Sequence, residues 1–379
     1  MTAPATLARN TDIQTLVSVL QGMQPRKLDI VAPVGKLLAF GGNIVIQDAD
    51  AQLTEDGVTT TSGIYTPTSI AVDGLAAKLD IPTGYLSRMH RTNTDLFDQN
   101  VNGWLQHSQY ADKKYLVRCL TNDEGNHVAR AFLSDSYKAI DNLDVLMTTL
   151  EGISAAGAKV QITQADLTDR RMYVKVRSEE IQALAPVLLD GYRSPFTGAN
   201  GTDNPVVFAG FVISNSEVGQ GAFSITPMIE VLVCKNGMTI KKEAIRAQHL
   251  GGKLEAGEIS WGSDTEAKNL ELIKLKTRDA VSTILSQDWL DRKVAEITAQ
   301  STKEIANPDE TIKKVTAALR YTEAQTADIM RMFIKGGQTT SGGVMQAVTA
   351  SAQNQTDADM AADMEGDALE ALRLAVVHA

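Results

Sequence analysis

Cysteine is scarce in this 379-residue chain: there are two, Cys119 and Cys234, far apart and without a CxxC neighbour. That excludes a disulfide framework and a thiolate zinc ribbon, and makes two reduced thiols the expectation. Histidine is almost as sparse, and His90, His107, His127, His249 and His378 show no HxxxH or HxH spacing. No dedicated transition-metal site is expected, and no cofactor. Long apolar runs are missing too. None approaches the ~20 residues that span a bilayer, and the opening MTAPATLARNTD lacks the apolar stretch of a secretory signal. The expectation is a cytoplasmic protein with no membrane partner.

What is present is an ordinary globular composition, 43% hydrophobic and 22% charged, long enough for two or three domains. The formal net charge is −10, but it is unevenly spread. Residues 111–253 balance 16 basic against 16 acidic side chains, whereas 254–379 carry 13 against 20. Such a chain is no polycation that coats nucleic acid, yet a local basic groove remains compatible with it. The acidic C-terminal block reads as a solvated helical surface or as a regulatory tail competing with an anionic ligand.

The apolar pattern divides the chain into four stretches. Residues 1–67 form a strand and turn segment, and 68–109 a helical hairpin segment. Residues 110–260 form an α+β sheet core, and 261–379 an all-helical C-terminal region. The fold class is therefore α+β, a central antiparallel sheet with a crossing helix followed by helices. Within 68–109, LAAKLDIPTGYLSRM has the helix, tight turn and second helix of a helix-turn-helix. A duplex reader needs basic or amide residues at the start of that second helix, and only Arg88 and Arg91 lie nearby, so a packed hairpin is the simpler reading.

In the core, KKYLVRCLTN and HVARAFLS flank Asp-Glu-Gly-Asn, a hairpin signal. Asp141 or Asn142 then caps a helix with a Leu143, Leu146, Met147, Leu150 stripe. Alternating runs follow, with the Gly/Asn/Pro-rich loop 190–205 between two of them as a candidate mobile lid. The Asn236-Gly237 pair predicts a turn.

Catalytic signals are weak. Cys234 and His249 offer a Cys–His pair, but Cys234 ends the apolar run VLVC, where an inert thiol is usual. SEVGQGAF lacks the GxxxxGK[ST] pattern of a phosphate loop and reads as a hairpin corner or bulge. A non-enzymatic role is the expectation.

The basic constellation is stronger. Lys113, Lys114, Arg118, Arg130 and Lys138 fall on the first hairpin, and Lys241, Lys242 and Arg246 follow Cys234. Arg170 precedes a run in which alternation puts Arg171, Tyr173, Lys175 and Arg177 on one face. Backbone-tracking cations with a stacking ring are what sequence-tolerant single-strand binding requires. A solvated outer sheet face offset by acids is the competing reading.

SDSYKAIDNLDVL, SNSEVGQGAFSITPMIEVLVCKNGM, IRAQHLGG and GGVMQAVTASAQ together resemble the phage and plasmid family called domain of unknown function 932, across roughly residues 65–355. That resemblance implies an accessory gene of a mobile element, acting in the host cell cytoplasm. A looser similarity runs to phage single-strand annealing proteins of the Red-beta and RecT type. It implies a basic groove over a sheet, a ring or filament homo-oligomer, and single-stranded DNA as partner. Hence the expected function is non-catalytic binding of single-stranded DNA that promotes annealing or recombination. The alternative is a structural or anti-defence module that binds a host protein.

Overall fold

A computed structural model of the chain describes residues 6–47, 52–54, 57–59, 62–122, 124–137, 140–234, 236–247 and 263–379. Thr6–Thr11 (β1) and Ile13–Met23 (α1) come first. Short strands follow: Lys27–Pro33 (β2), Leu37–Phe40 (β3), Asn43–Ile46 (β4), Gln52–Thr54 (β5), Gly57–Thr59 (β6) and Gly63–Pro67 (β7). Next come Ser69–Lys78 (α2), Thr83–Thr92 (α3) and Thr94–Leu105 (α4), then the hairpin Lys114–Thr121 (β8) and His127–Ser134 (β9). Asn142–Ala155 (α5) leads to Val160–Thr168 (β10), Met172–Leu184 (β11), Val206–Asn215 (β12), Phe223–Val231 (β13), Asn236–Thr239 (β14) and Ile245–Ala247 (β15). The remainder is helical: Ser263–Ile284 (α6), Gln287–Ser301 (α7), Pro308–Ala318 (α8), Glu323–Gly336 (α9), Ser341–Gln353 (α10) and Ala358–His378 (α11). The α+β class, the antiparallel sheet and the helical C-terminal region are as the sequence pattern predicts.

The strands form two main sheets. The larger is seven-stranded and antiparallel, in the order β1-β10-β11-β12-β13-β14, with β15 pairing the other half of β13. The second is six-stranded, β2-β8-β9-β7-β4-β3. The predicted hairpin β8–β9 therefore pairs with the N-terminal strands, through Asp29 opposite Arg118 and Thr66 opposite Val128, and not with the strands after 160. Helices α2–α4 cover this second sheet by burying Leu75, Leu86 and Phe97 on Ile30, Ile46 and Tyr65. The helix-turn-helix candidate packs on this sheet through Leu75 and Leu86, and Tyr85, Arg88 and Arg91 face outward from α3.

On the larger sheet, α1, α5, α6 and α7 cover one face. Leu16, Leu146, Ile273 and Leu290 pack there on Val174, Val176, Phe211 and Ile225. The crossing helix α5 is present, but its buried stripe is Val145, Leu146, Thr149, Gly152 and Ile153, while Met147 is exposed. The stripe is rotated because the helix must approach α6 closely at its small residues. A Cβ on Gly152 would lie 2.8 Å from both the Lys274 carbonyl oxygen and Thr277 Cβ. Asn236 and Gly237 are not a turn: they pair with Val231 and Glu230 as the start of β14.

The opposite face of this sheet lies under α11. Helices α8–α11 share a core of Ile312, Ile329, Phe333, Val348 and Met364, and α10 is buried on all sides from Ser341 to Ala352. Loop 190–205 is tied to this helical region. Arg193 N–H donates to the Gly336 carbonyl at 2.8 Å, and Gln338 Nε2 donates to the Leu188 and Asp190 carbonyls. Tyr192 and Ser194 are buried, so the loop's base is packed and not free as a lid would be.

Candidate nucleic-acid interface

The stripe on β11 exists as alternation dictates. Met172, Val174 and Val176 point into the main core, so Tyr173, Lys175 and Arg177 share the other face. The sequence gives no hint of what lies over that face. Tyr173 Oη donates to Asp359 at 2.8 Å and Lys175 Nζ pairs with Glu365 at 2.5 Å, both acids on α11. Arg177 pairs with Glu230 of β13 at 2.9 Å and stacks 4.7 Å from the Phe208 ring centroid. Arg171 Nε donates to the Gln220 carbonyl, and Lys241 reaches Asp367 at 3.0 Å. Arg9 of the edge strand β1 joins the group, pairing with Asp166 at 2.8 Å and donating to the Gln355 carbonyl.

Between this face and α11 runs a polar cleft in two adjoining lobes of about 390 and 290 Å³. Arg9, Gln164, Lys175 and Glu365 line both lobes, so the Lys175–Glu365 pair stands where they meet. Arg177 and Glu230 belong to one lobe, Arg171, Lys241 and Asp363 to the other. Burial, then the nearby Asp359 charge, pushes the Tyr173 hydroxyl well above its ordinary pKa. Burial also raises the Asp363 carboxyl, against the pull of Lys241 and Arg171. Tyr173 is 6% exposed and packs beneath Ala362, so in this arrangement it offers no ring face to a base. That corrects the sequence-based role of Tyr173 as a stacking platform.

Arg118 and Arg130 also leave the surface, for a different reason. The outward face of β8–β9 is covered by the segment that follows β12, which places Glu217 between the two sheets. Glu217 accepts from Lys27 Nζ at 2.7 Å, Arg130 Nη2 at 2.8 Å and the Asn142 backbone N–H at 2.7 Å. Arg118, 3% exposed, donates to Asp29, Asp141 and the Glu217 carbonyl. Burial opposes ionisation of Asp141, but Arg118 and Lys27 outweigh it and hold the carboxyl down at about 2. Burial likewise opposes the Glu217 charge, and Arg130 and Lys27 prevail to lower its pKa. Arg118 and Arg130 thus join two sheets and α5, and neither is placed to track a DNA backbone.

The other predicted residues are dispersed. Lys113, Lys114 and Lys242 are exposed, while Arg170 is half-buried, with its carbonyl accepting from Ser216 Oγ. Lys138 and His249 lie outside the described residues, as does the Arg246 side chain. Cys234 is 5% exposed and Cys119 2%, with burial pushing the Cys119 thiol far up. A thiol held protonated is a poor nucleophile. Among the described residues no group of three or more His, Cys, Asp or Glu is placed to hold a metal ion.

Sequence reasoning missed Arg9, Glu217, Asp359 and Glu365. Arg9 is a lone cation in TLARNT, and the acids lie up to 190 positions from their partners, so no spacing connects them. The comparisons with known proteins add no precedent. No family model, no curated protein and no solved structure matches this chain. Function is therefore read from the cleft itself.

Proposed function

We propose that this protein binds single-stranded DNA, without catalysis, on the sheet face beneath α11, and promotes annealing or recombination as a homo-oligomer. One observation carries the reading: Arg9 from β1, Lys175 and Arg177 from β11, Arg171 just before β11 and Lys241 after β14 converge on one cleft. Cations along a groove suit a phosphate backbone and impose no base sequence. Assembly into a ring or filament aligns such modest clefts into one tract, which lets an acidic chain hold a polyanion. In this reading, which draws on the sequence resemblance to mobile-element proteins, the protein acts in a phage or plasmid context within host cytoplasm. Fluorescence titration of a labelled oligothymidylate at low and moderate salt tests it. Salt-sensitive binding supports the reading, and no binding at low salt overturns it.

A second reading, a module that binds a host protein, has its own observation. Leu38, Val45 and Ile64 stand opposite one another across β3, β4 and β7, and Ile64 and Phe40 are 58% and 69% exposed. Recovery of a stoichiometric host protein, with purified material free of nucleic acid, favours this role over the first.

A further inference from the structure

The half of α11 nearest its start is built unlike the rest of the helix. Asp359, Asp363 and Asp367 recur at i, i+4, which aligns them along one side, and Glu365 lies beside them. Asp359 takes the Tyr173 hydroxyl proton bond, Glu365 takes Lys175, and Asp367 takes Lys241. Each is an anionic oxygen set on a donor of the cleft. Apolar support at this end comes from Ala358, Ala361 and Ala362, of which Ala362 packs on Tyr173, Val212 and Met228. The larger anchors are Met364, which lies between Asp363 and Glu365 and enters the helical core, and Leu372 in the main core. Alanines bury little area, so charge pairing dominates the contact between the start of α11 and the sheet. Lys241 also lies tight against the helix, because a Cβ on Gly366 would sit 1.7 Å from its Cε. Gly366 gives the ammonium room to reach both the Asp363 carbonyl and Asp367.

We infer that Asp359, Glu365 and Asp367 stand in for DNA phosphates on this face, so that α11 competes with DNA for the cleft and DNA enters by exchanging phosphate for carboxylate. This rests on the DNA-binding reading and adds its regulation. Two features of the closed state require such an exchange. The Lys175–Glu365 pair occupies the junction of the two lobes, and Tyr173 is covered until the start of α11 moves away. The short link from Asn354 to Asp357 lets the first turn of α11 lift ahead of Met364, while Met364 and Ala368 stay in the core and Glu365 and Asp367 exchange by side-chain movement.

The test uses full-length protein and a fluorescein-labelled oligothymidylate across a salt series. The variant Asp359→Asn/Glu365→Gln/Asp367→Asn keeps shape and hydrogen-bonding atoms but removes the competing charge. The control Asp309→Asn/Glu310→Gln/Glu323→Gln removes the same net charge from the exposed start of α8 and α9, away from the cleft. The cleft variant is expected to bind about tenfold tighter at low salt, with a log–log salt slope steeper by about 0.7 for each of Lys175 and Lys241 released. The control is expected to track wild type apart from a small common shift. Equal tightening in both variants overturns the inference and leaves DNA binding intact. Absence of binding by wild type and both variants overturns the DNA-binding reading, and the inference with it. Should the triple variant lose its cooperative melt, Asp367→Asn alone serves, because that pair is partly exposed, and unchanged affinity there also counts against the exchange.

Discussion

Removing Glu217 exposes what the buried charges between the sheets contribute. Its side chain is 1% exposed and holds Lys27, Arg130 and the first backbone N–H of α5. In Glu217→Ala, Lys27 keeps Asp141 at 3.0 Å, but Arg130, 13% exposed, loses its carboxylate and the Asn142 N–H loses its acceptor. Breaking one side of a buried pair costs about 3–5 kcal/mol, and the upper half of that range is expected here. Glu217→Gln keeps an oxygen for the Asn142 N–H and loses only the charge, for a cost of about 2–3 kcal/mol. Guanidinium unfolding followed by circular dichroism measures both. Adding Arg130→Met to Glu217→Gln is expected to recover about 1 kcal/mol or more relative to the sum of the single changes. A Glu217→Ala variant within about 0.5 kcal/mol of wild type, as at an exposed site, refutes the role given to this network.

Three further outcomes follow from the same geometry. Asp141 and Glu217 have lowered pKa values in the fold, so their stabilisation is complete above the unfolded carboxylate range of about 4 and lost as pH falls toward about 2, the folded value for Asp141. Wild type is therefore expected to lose stability steeply across that window, and Glu217→Gln less steeply, in acid titrations read by tryptophan fluorescence. Gly152→Ala forces α5 off α6, at a cost of about 1–3 kcal/mol in thermal melts, whereas Gly103→Ala, on α4 with nothing near its Cβ and no left-handed backbone, is expected to cost no stability. Ellman's reagent is expected to leave Cys119 and Cys234 unmodified in the native protein and to modify both after unfolding, and Cys234→Ala is expected to leave DNA affinity unchanged.

Local patterns were legible and distant pairings were not. The β8–β9 hairpin and the β11 stripe follow from alternation within ten residues, and the helical region after 263 follows from its caps, such as the Thr322–Gln325 capping box. The fate of the cations is set by chain segments far away. Arg118 alternates outward from Val117 and Cys119, which reads as exposure, until Asp29, Asp141 and the Glu217 carbonyl close over it. Lys175 meets an acid 190 positions later, and nothing in RRMYVKVRS signals it. The stripe of α5 turned because Gly152 marks a close approach of α6, a packing demand that outranks the Leu and Met periodicity. Asn236-Gly237 joins a strand because the chain already turns over residues 232–234, which sets Val231 opposite Asn236 and Glu230 opposite Gly237.

The role proposed for the cations beneath α11 is to hold single-stranded DNA. Its most direct test is the salt dependence of oligothymidylate binding for wild type, Lys241→Gln, and the charge-neutral pair Lys175→Gln/Glu365→Gln, which leaves no buried charge unpaired. Weaker binding is expected of Lys241→Gln, and a log–log slope reduced by about 0.7 for each cation removed is expected of both variants, because Lys175→Gln/Glu365→Gln loses a phosphate contact and its competitor together. Slopes and affinities equal to wild type in both, while Lys113→Gln/Lys114→Gln weakens binding, would place the contact on the other sheet and contradict the claim.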